Sequence, residues 1–146
     1  MNVEIKKFNE LGVQELYDIL QLRSEVFVVE QDCVYQDLDG KDKLALHVIG
    51  YRNKEVVAYT RVFKSGDYFK ETSIGRVVVR KSERQYGFGL QIMQASIALI
   101  NENYGPTPIH ISAQKYLLKF YTSLGFGKIG EEYLEDGIPH FAMLKE

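Results

Sequence analysis

The sequence predicts a single mixed α/β domain in which helices flank a mostly antiparallel, twisted sheet of about six to seven strands. Three observations indicate this fold class. Short β-branched and aromatic runs alternate with helical patterns along the chain. Its 146 residues suit one domain with a real core. Neither a repeat nor a linker divides the chain, so residues 1–146 are expected to form one unit.

The first part of the chain reads as a strand, a helix and a loop. Val3, Ile5 and Phe8 alternate partially, as in a strand, and Val13 begins a helical pattern that continues towards Phe27. The segment DCVYQDLDGKD, residues 32–42, is polar and rich in turn-forming residues. It is therefore expected to be a loop.

Three strands are predicted in the middle of the chain. The segments from Leu44 to Arg52 and from Glu55 to Phe63 are typical of a hairpin around Asn53-Lys54. A further strand is predicted from Ser73 to Val79, where β-branched residues dominate.

A long helix follows this strand. Leu90, Met93, Ile97 and Ile100 recur at helical spacing, and flanking apolar residues widen that face. Such breadth predicts a helix packed deeply on a sheet. The sequence Gly-Pro-Thr-Pro at residues 105–108 ends it.

The C-terminal part is predicted to contain three strands and one short helix. Ile109 to Ala113 forms a strand, and Tyr116 to Leu124 forms the helix, with Gly125 as its C-terminal stop. The last two strands lie near Lys128 to Leu134 and His140 to Lys145, on either side of a turn.

Composition narrows the classes of function. The formal net charge is −2 and no basic tract stands out, which argues against a nucleic-acid binder. No apolar run is long enough for a membrane span, and the N-terminal residues lack a signal peptide's apolar core. The single cysteine, Cys33, fits a reducing cytoplasm, and no metal site is predicted.

The junction VVVRKSERQYGFG, residues 77–89, carries the strongest functional signal. A strand, a turn with Gly87 and Gly89, and a helix start present unpaired N–H groups that a Cβ would otherwise shield from a phosphate. Arg84 adds a forked cationic donor. The junction therefore predicts an anion cradle for a cofactor's pyrophosphate. The alternative, that the glycines serve only the turn, stays open at this point.

The order of elements and this junction resemble the GNAT superfamily of N-acetyltransferases. The segment FYTSLGF, residues 120–126, resembles that superfamily's late helix, and the resemblance covers essentially the whole chain. A narrower resemblance is to the ElaA-like subgroup. It rests on five segments: residues 22–31, 35–40, 74–77, 112–114 and 133–140.

The superfamily resemblance implies transfer of an acetyl group from acetyl-CoA to a primary amine of a small molecule or peptide, by direct attack in a ternary complex. Gln114 stands where many members carry an asparagine, and is expected to contact the pantetheine arm in its place. The residues expected to bind acetyl-CoA are Val77, Val78, Val79, Arg84, Gln85, Tyr86, Gly87, Phe88, Gly89, Leu90, Gln114 and Tyr121.

Candidates for the chemistry follow from position. Tyr121 is expected to be the general acid that protonates the leaving sulfur, with an amphipathic core tyrosine as the alternative. Glu30 and His47 are the candidates for the general base, with a surface carboxylate as the alternative for Glu30. Glu30, His47 and His140 are the candidates for contacting the acceptor, although a mid-strand histidine such as His47 is more often a hydrogen-bonded core residue.

The acidic loop is expected either to attract a cationic amine or to be a solvated turn. Its carboxylates are Asp32, Asp37, Asp39 and Asp42. Two classes of function stay open: an acetyl-CoA-dependent N-acetyltransferase, or a CoA-binding regulatory or interaction module without turnover. No nucleic-acid or membrane partner is expected. The sequence leaves open the identity of the amine and whether two chains pair as a homodimer.

Overall fold

A computed structural model describes all residues, 1–146, as one α/β domain with a seven-stranded mixed sheet. The number of strands confirms the sequence prediction. The strands are β1 (Asn2–Lys7), β2 (Leu46–Arg52), β3 (Glu55–Phe63), β4 (Thr72–Val79), β5 (Ile109–Gln114), β6 (Gly127–Glu135) and β7 (Ile138–Lys145). The helices are α1 (Val13–Arg23), α2 (Phe88–Tyr104) and α3 (Leu118–Ser123).

The strands follow the order β1-β2-β3-β4-β5-β7-β6. Every neighbouring pair is antiparallel except β4 and β5, which are parallel. Hydrogen-bonded pairing between β4 and β5 covers only Thr72 with Ile109 and Ser73 with His110. Beyond these two pairs the strands diverge, so the edge of β4 that faces β5 has no strand partner from Ile74 to Val79.

Helices cover both faces of the sheet. On one face, α2 buries Ile92, Met93 and Ile100 against β2 to β5, and α3 adds Tyr121. On the other face, α1 packs on a smaller apolar cluster. The central strand β3 is buried along all but its first residue, since both of its faces are covered.

The region after α1 differs from the predicted continuous helix. Ser24–Glu30 is π-helical, with Gln31 N–H donating to the Val26 carbonyl at 3.1 Å and Cys33 N–H to the Val28 carbonyl at 3.0 Å. A π-helical turn redirects the chain away from the helix axis, and such turns are frequent at functional sites. Here it brings the end of the segment over the opening between β4 and β5.

Between β4 and α2, residues Lys81–Tyr86 form a short 3-10 turn. Gly87 then caps α2 with a φ of +73°, a left-handed conformation that favours glycine. No helix in the structure has both the length and the apolar composition needed to cross a bilayer.

Candidate active site

A cavity of about 360 Å³ opens where β4 and β5 diverge. Its walls come from β4, the start of α2, α3, β5 and the turn between β6 and β7. Apolar side chains with a few polar groups line it, as in most small-molecule sites. The residues assigned to a ligand from sequence that line this cavity are Val77, Val78, Val79, Arg84, Gly89, Gln114, Tyr121 and His140.

The β4 wall presents main-chain groups to the cavity. A bulge at Arg76, where φ is +49°, shifts the register between β3 and β4. From Val77 to Val79, the main-chain groups on the β5 side have no strand partner. An extended ligand arm with amide groups can therefore pair with this edge.

The start of α2 is open to an anion. No side chain caps its N-terminus, so the first N–H groups of the helix have no partner within the protein. A Cβ added at Gly89 would lie 3.8 Å from Val79 Cγ2 and 3.9 Å from Phe120 Cζ, which is ordinary contact. Packing therefore does not require glycine there, and a Cβ would narrow the cavity that Gly89 lines.

The other predicted cofactor residues lie in the turn and the first helical turn rather than in the cavity wall. Phe88 is buried in the core, and the Tyr86 ring lies under the Arg52 guanidinium, 4.2 Å from its centroid. Gln85, Tyr86, Gly87, Phe88 and Leu90 do not line the cavity, and their contact with the cofactor stays a prediction.

Arg84 binds Glu30 through a forked ion pair. Arg84 Nη1 lies 2.6 Å from Glu30 Oε2, Nη2 lies 2.9 Å from Oε1, and Nε donates to the Val79 carbonyl at 3.1 Å. Both carboxylate oxygens are thus occupied by a cation, and Glu30 does not line the cavity. Glu30 therefore lies beside the anion cradle, and its assignment as the base or as a contact to the acceptor stays a prediction.

Gln114 pairs with Gln31 across the opening. Each side-chain amide donates to the other, at 3.2 and 3.3 Å. The pair joins the end of β5 to the end of the π-helical segment. The Gln114 amide is therefore at the cavity, as its predicted role requires, but its amide groups are shared with Gln31.

Tyr121 presents its hydroxyl to the cavity. The residue is buried, yet its Oη has no partner in the protein and is not sealed from solvent. Burial raises the pKa of Tyr121 above its ordinary value, so the phenol keeps its proton throughout the neutral range. A free, protonated phenol at this position can donate a hydrogen bond to a ligand.

His47 lies outside the cavity. One ring nitrogen is 2.6 Å from the Tyr59 hydroxyl and the other is 2.9 Å from the Asp42 carbonyl. Burial lowers the pKa of His47, so the ring is neutral. Because both nitrogens are used inside the protein, the expectation that His47 contacts an acceptor is corrected: it is a hydrogen-bonded core histidine.

Three of the four carboxylates of the acidic loop, Asp37, Asp39 and Asp42, form an ion-pair cluster with arginines, whereas Asp32 is exposed and outside it. Arg23 Nη1 lies 2.7 Å and Arg61 Nη1 lies 3.0 Å from Asp42 Oδ1, and both arginines are buried. The full cluster pairs Arg23, Arg61 and Arg76 with Asp37, Asp39 and Asp42. These carboxylates are already neutralised by arginines, so they are not available to a substrate cation.

Sequence reasoning missed three residues that form a connected group with His140. Ser112, Tyr133 and Glu135 lie on the same face of the sheet as His140, at alternating positions of β5 and β6. Strand alternation was the signal that links them, but it required the pairing of β5, β6 and β7. No group of three or more His, Cys, Asp or Glu residues is arranged to hold a metal ion.

Comparisons with known proteins agree with this geometry. Residues 6–146 match the family model described as an acetyltransferase (GNAT) domain. Protein ElaA of Escherichia coli K12 is 44% identical over 140 residues, which cover 94% of this chain and 92% of ElaA.

Solved structures share the whole fold. The crystal structure of an acyl-CoA N-acyltransferase from Pseudomonas aeruginosa has a TM-score of 0.94 and 37% identity, with both chains fully covered. A PaiA N-acetyltransferase from Thermoplasma acidophilum, solved in complex with coenzyme A, has a TM-score of 0.71 at 14% identity and covers 100% of this chain and 99% of its own; it shares the fold alone. The family match and the similarity to ElaA establish that this chain belongs to the GNAT acetyltransferase family.

Proposed function

We propose that this chain transfers an acetyl group from acetyl-CoA to a primary amine of a small molecule or peptide, by direct attack in a ternary complex. One observation carries the proposal. A single cavity connects Arg84 and the open start of α2 with the edge of β4 that has no strand partner and with the free hydroxyl of Tyr121. Family membership supports acyl transfer as the reaction class.

The residues present fit coenzyme A. The N–H groups at Phe88 and Gly89 and the guanidinium of Arg84 suit the diphosphate. The edge of β4 from Val77 to Val79 suits the amide groups of the pantetheine arm. Gly89 keeps open a space that a Cβ would narrow. When bound, acetyl-CoA supplies an acyl carbon activated as a thioester.

In the overall transfer, one bond forms, one bond breaks and one proton moves from nitrogen to sulfur. The amine lone pair forms the new C–N bond, the C–S bond breaks, the nitrogen loses a proton and the sulfur gains one. A main-chain N–H of the β4 edge is suited to stabilise the developing oxyanion, an effect commonly worth about 10²–10³ in rate. The Tyr121 hydroxyl is suited to donate a hydrogen bond to the departing sulfur.

The raised pKa of Tyr121 refines its role. A thiol ionises near pH 8.5 and an unperturbed phenol near 10, so a buried phenol does not hand its proton fully to a thiolate. Tyr121 therefore acts mainly as a hydrogen-bond donor that stabilises negative charge on sulfur, and the proton that sulfur finally keeps comes from the amine.

The test combines coenzyme binding with turnover. The purified chain is mixed with CoA in a calorimeter, then with acetyl-CoA and a panel of primary amines, with release of free thiol followed and the acetylated product identified by mass. Saturable heat and thiol release that depends on an amine are expected. The alternative of a binding module predicts heat without thiol release. Absence of heat at millimolar CoA overturns the proposal.

We further propose a cytoplasmic location, where the unpaired Cys33 would stay reduced.

A further inference from the structure

Four side chains on one face of the sheet form a connected cluster at the cavity: Ser112 from β5, Tyr133 and Glu135 from β6, and His140 from β7. We refer to them as the Glu135–His140 cluster. Ser112, Glu135 and His140 line the cavity that also holds Tyr121 and the free edge of β4. Arg84 lines the same cavity from the turn before α2, whereas the cluster lines it from the C-terminal strands.

The hydrogen bonds within the cluster have a defined direction. Ser112 Oγ donates to Glu135 Oε1 at 3.0 Å, because a carboxylate only accepts. The single proton of Ser112 is then used, so the Tyr133 hydroxyl must donate to Ser112 Oγ. Burial raises the pKa of Tyr133, which keeps that proton in place. This relay fixes Glu135 and leaves Oε2 free.

The tautomer of His140 is fixed in the same way. Nδ1 lies 2.7 Å from the Ile138 carbonyl, which only accepts, so Nδ1 carries the hydrogen. The ring also stacks on Tyr133, with centroids 6.0 Å apart. Nε2 has no hydrogen-bond partner in the protein and is not sealed from solvent. In the neutral ring, Nε2 is therefore a lone pair that is open to the cavity.

Two hydrogen-bond-accepting atoms thus face each other. His140 Nε2 lies 3.4 Å from Glu135 Oε2, and the neutral ring has no hydrogen to place between them. A lone pair opposite a carboxylate is unfavourable unless a donor lies between them. An ammonium group has three N–H donors, so it can serve both atoms at once. The ordinary alternatives are a water molecule or a proton on Nε2, and the test below separates them.

Resting on the proposed function, we propose that the acceptor binds as a primary ammonium group between Glu135 and His140, and that His140 Nε2 takes its proton. Glu135 holds the cation and then stabilises the imidazolium. The proton moves from the ammonium nitrogen to Nε2, and the electron pair left on nitrogen becomes the nucleophile. The imidazolium returns its proton to solvent after transfer.

A base is needed because an alkylamine is almost entirely protonated at neutral pH. An alkylamine with a pKa near 10.4 is only about one part in a few thousand neutral at pH 7. A base positioned to take the proton commonly raises the reaction rate by a factor of about 10²–10⁴. The groups that face His140 are Glu135 and Tyr133 from β6, with the uncharged Gln114 opposite on β5.

The first measurement is independent of turnover. Chain labelled in its histidine rings is titrated with ethylammonium in the presence of CoA, and the ring signals are followed by NMR. The chain has three histidines, so each signal is assignable. A saturable shift is expected for His140 and none for His47, whose ring nitrogens are both bonded internally. The shift is expected to disappear in Glu135→Gln and to persist in Glu132→Gln.

Glu132 is the matched control. It lies on the same strand, β6, pairs with Lys115 at 2.8 Å and does not line the cavity. The side chain of Glu135 is 45% exposed, so its substitution is not expected to unfold the chain.

The second measurement uses two amines of similar size and different basicity. His140→Gln is expected to lower kcat/KM about 10²-fold for ethylamine and less than about tenfold for 2,2,2-trifluoroethylamine, which is mostly neutral at pH 7 and needs little base. A structural role would lower both rates equally. Equal losses, or an unshifted His140 signal, would overturn the assignment and leave acetyl transfer intact. A shifted His140 signal without thiol release from any amine would instead reject acetyl transfer and keep the ammonium site.

Discussion

The guanidinium of Arg84 binds the carboxylate of Glu30 through two hydrogen bonds of 2.6 and 2.9 Å, although 54 positions separate the two residues in sequence. The side chains are 42% and 28% exposed. At this exposure an ion pair contributes no more than about 1 kcal/mol to stability. Its importance therefore lies in what it does to the anion cradle.

Glu30→Gln is expected to tighten CoA binding. The carboxylate competes with a diphosphate for Arg84 and repels it, so removing its charge should raise affinity by up to about fivefold, the equivalent of about 1 kcal/mol. Calorimetric titration with CoA at low salt measures the change. Glu132→Gln should leave affinity unchanged. Weaker binding in Glu30→Gln would mean that Glu30 holds Arg84 in a favourable position for the ligand.

Gly89→Ala is expected to separate folding from binding. The added methyl meets Val79 and Phe120 only at ordinary contact distance. Alanine is favoured in helices by up to about 1 kcal/mol over glycine, so the melting temperature should hold or rise. CoA affinity should fall at least about tenfold, since the methyl group enters the cavity.

The control for that change is Gly127→Ala, where an added Cβ meets no atom within 4 Å and the glycine lies in β6, away from the cavity. The affinity of Gly127→Ala for CoA should match that of the natural chain. Unchanged binding in Gly89→Ala would show that the ligand does not approach the start of α2.

Tyr121→Phe is expected to lower kcat with little change in stability or CoA affinity. The hydroxyl has no protein partner to lose. Loss of a positioned donor to sulfur should cost about 10²-fold or more in kcat. Because burial raises the pKa of Tyr121, its proton should not appear as a titration in the natural chain between pH 6 and 9. A variant with undiminished kcat would remove Tyr121 from the chemistry.

Asp42→Asn is expected to destabilise the fold by about 3–5 kcal/mol, because it leaves buried Arg23 and Arg61 without a shared carboxylate. Burial alone would raise the pKa of Asp42, but the hydrogen bonds and charges of Arg23 and Arg61 outweigh it and the pKa is lowered. A lowered folded-state pKa contributes stability that is present above the unfolded value of about 3.9 and is lost as pH falls below it.

The penalty of Asp42→Asn should therefore be full near pH 7 and shrink below about pH 4. Urea unfolding at several pH values measures it. Glu55→Gln, which breaks the exposed pair with Arg80, should cost less than about 1 kcal/mol at any pH. A penalty for Asp42→Asn that does not change with pH would show that charge is not its source.

Local patterns were sufficient to predict the architecture. The hairpin signal around Asn53-Lys54, the wide apolar face of α2 and the glycine stop at Gly125 are all readable within a few residues, and the structure has seven strands. The π-helical turn after Arg23 was not readable, because apolar spacing of 3.6 residues continues into it.

Prediction of the site residues also depended on how close they are in sequence. The cradle from Val77 to Gly89 is contiguous in sequence, so its spacing was informative. Sequence spacing did not reveal partners that are far apart in the chain, such as Ser112 with Glu135 or Arg84 with Glu30. The acidic loop was misinterpreted for the same reason: its arginines lie on α1, β3 and β4, and only folding brings them to the carboxylates.

The short pairing between β4 and β5 has a consequence for the lifetime of the protein. Without a ligand, the edge of β4 along the cavity has no strand partner, and sheet edges that lack a partner can pair with other chains. A small molecule that completes the edge acts as a missing strand, and at one hundred times its dissociation constant it adds about 2.7 kcal/mol to folding stability. Cellular abundance of this protein should then rise and fall with supply of the molecule that fills the gap.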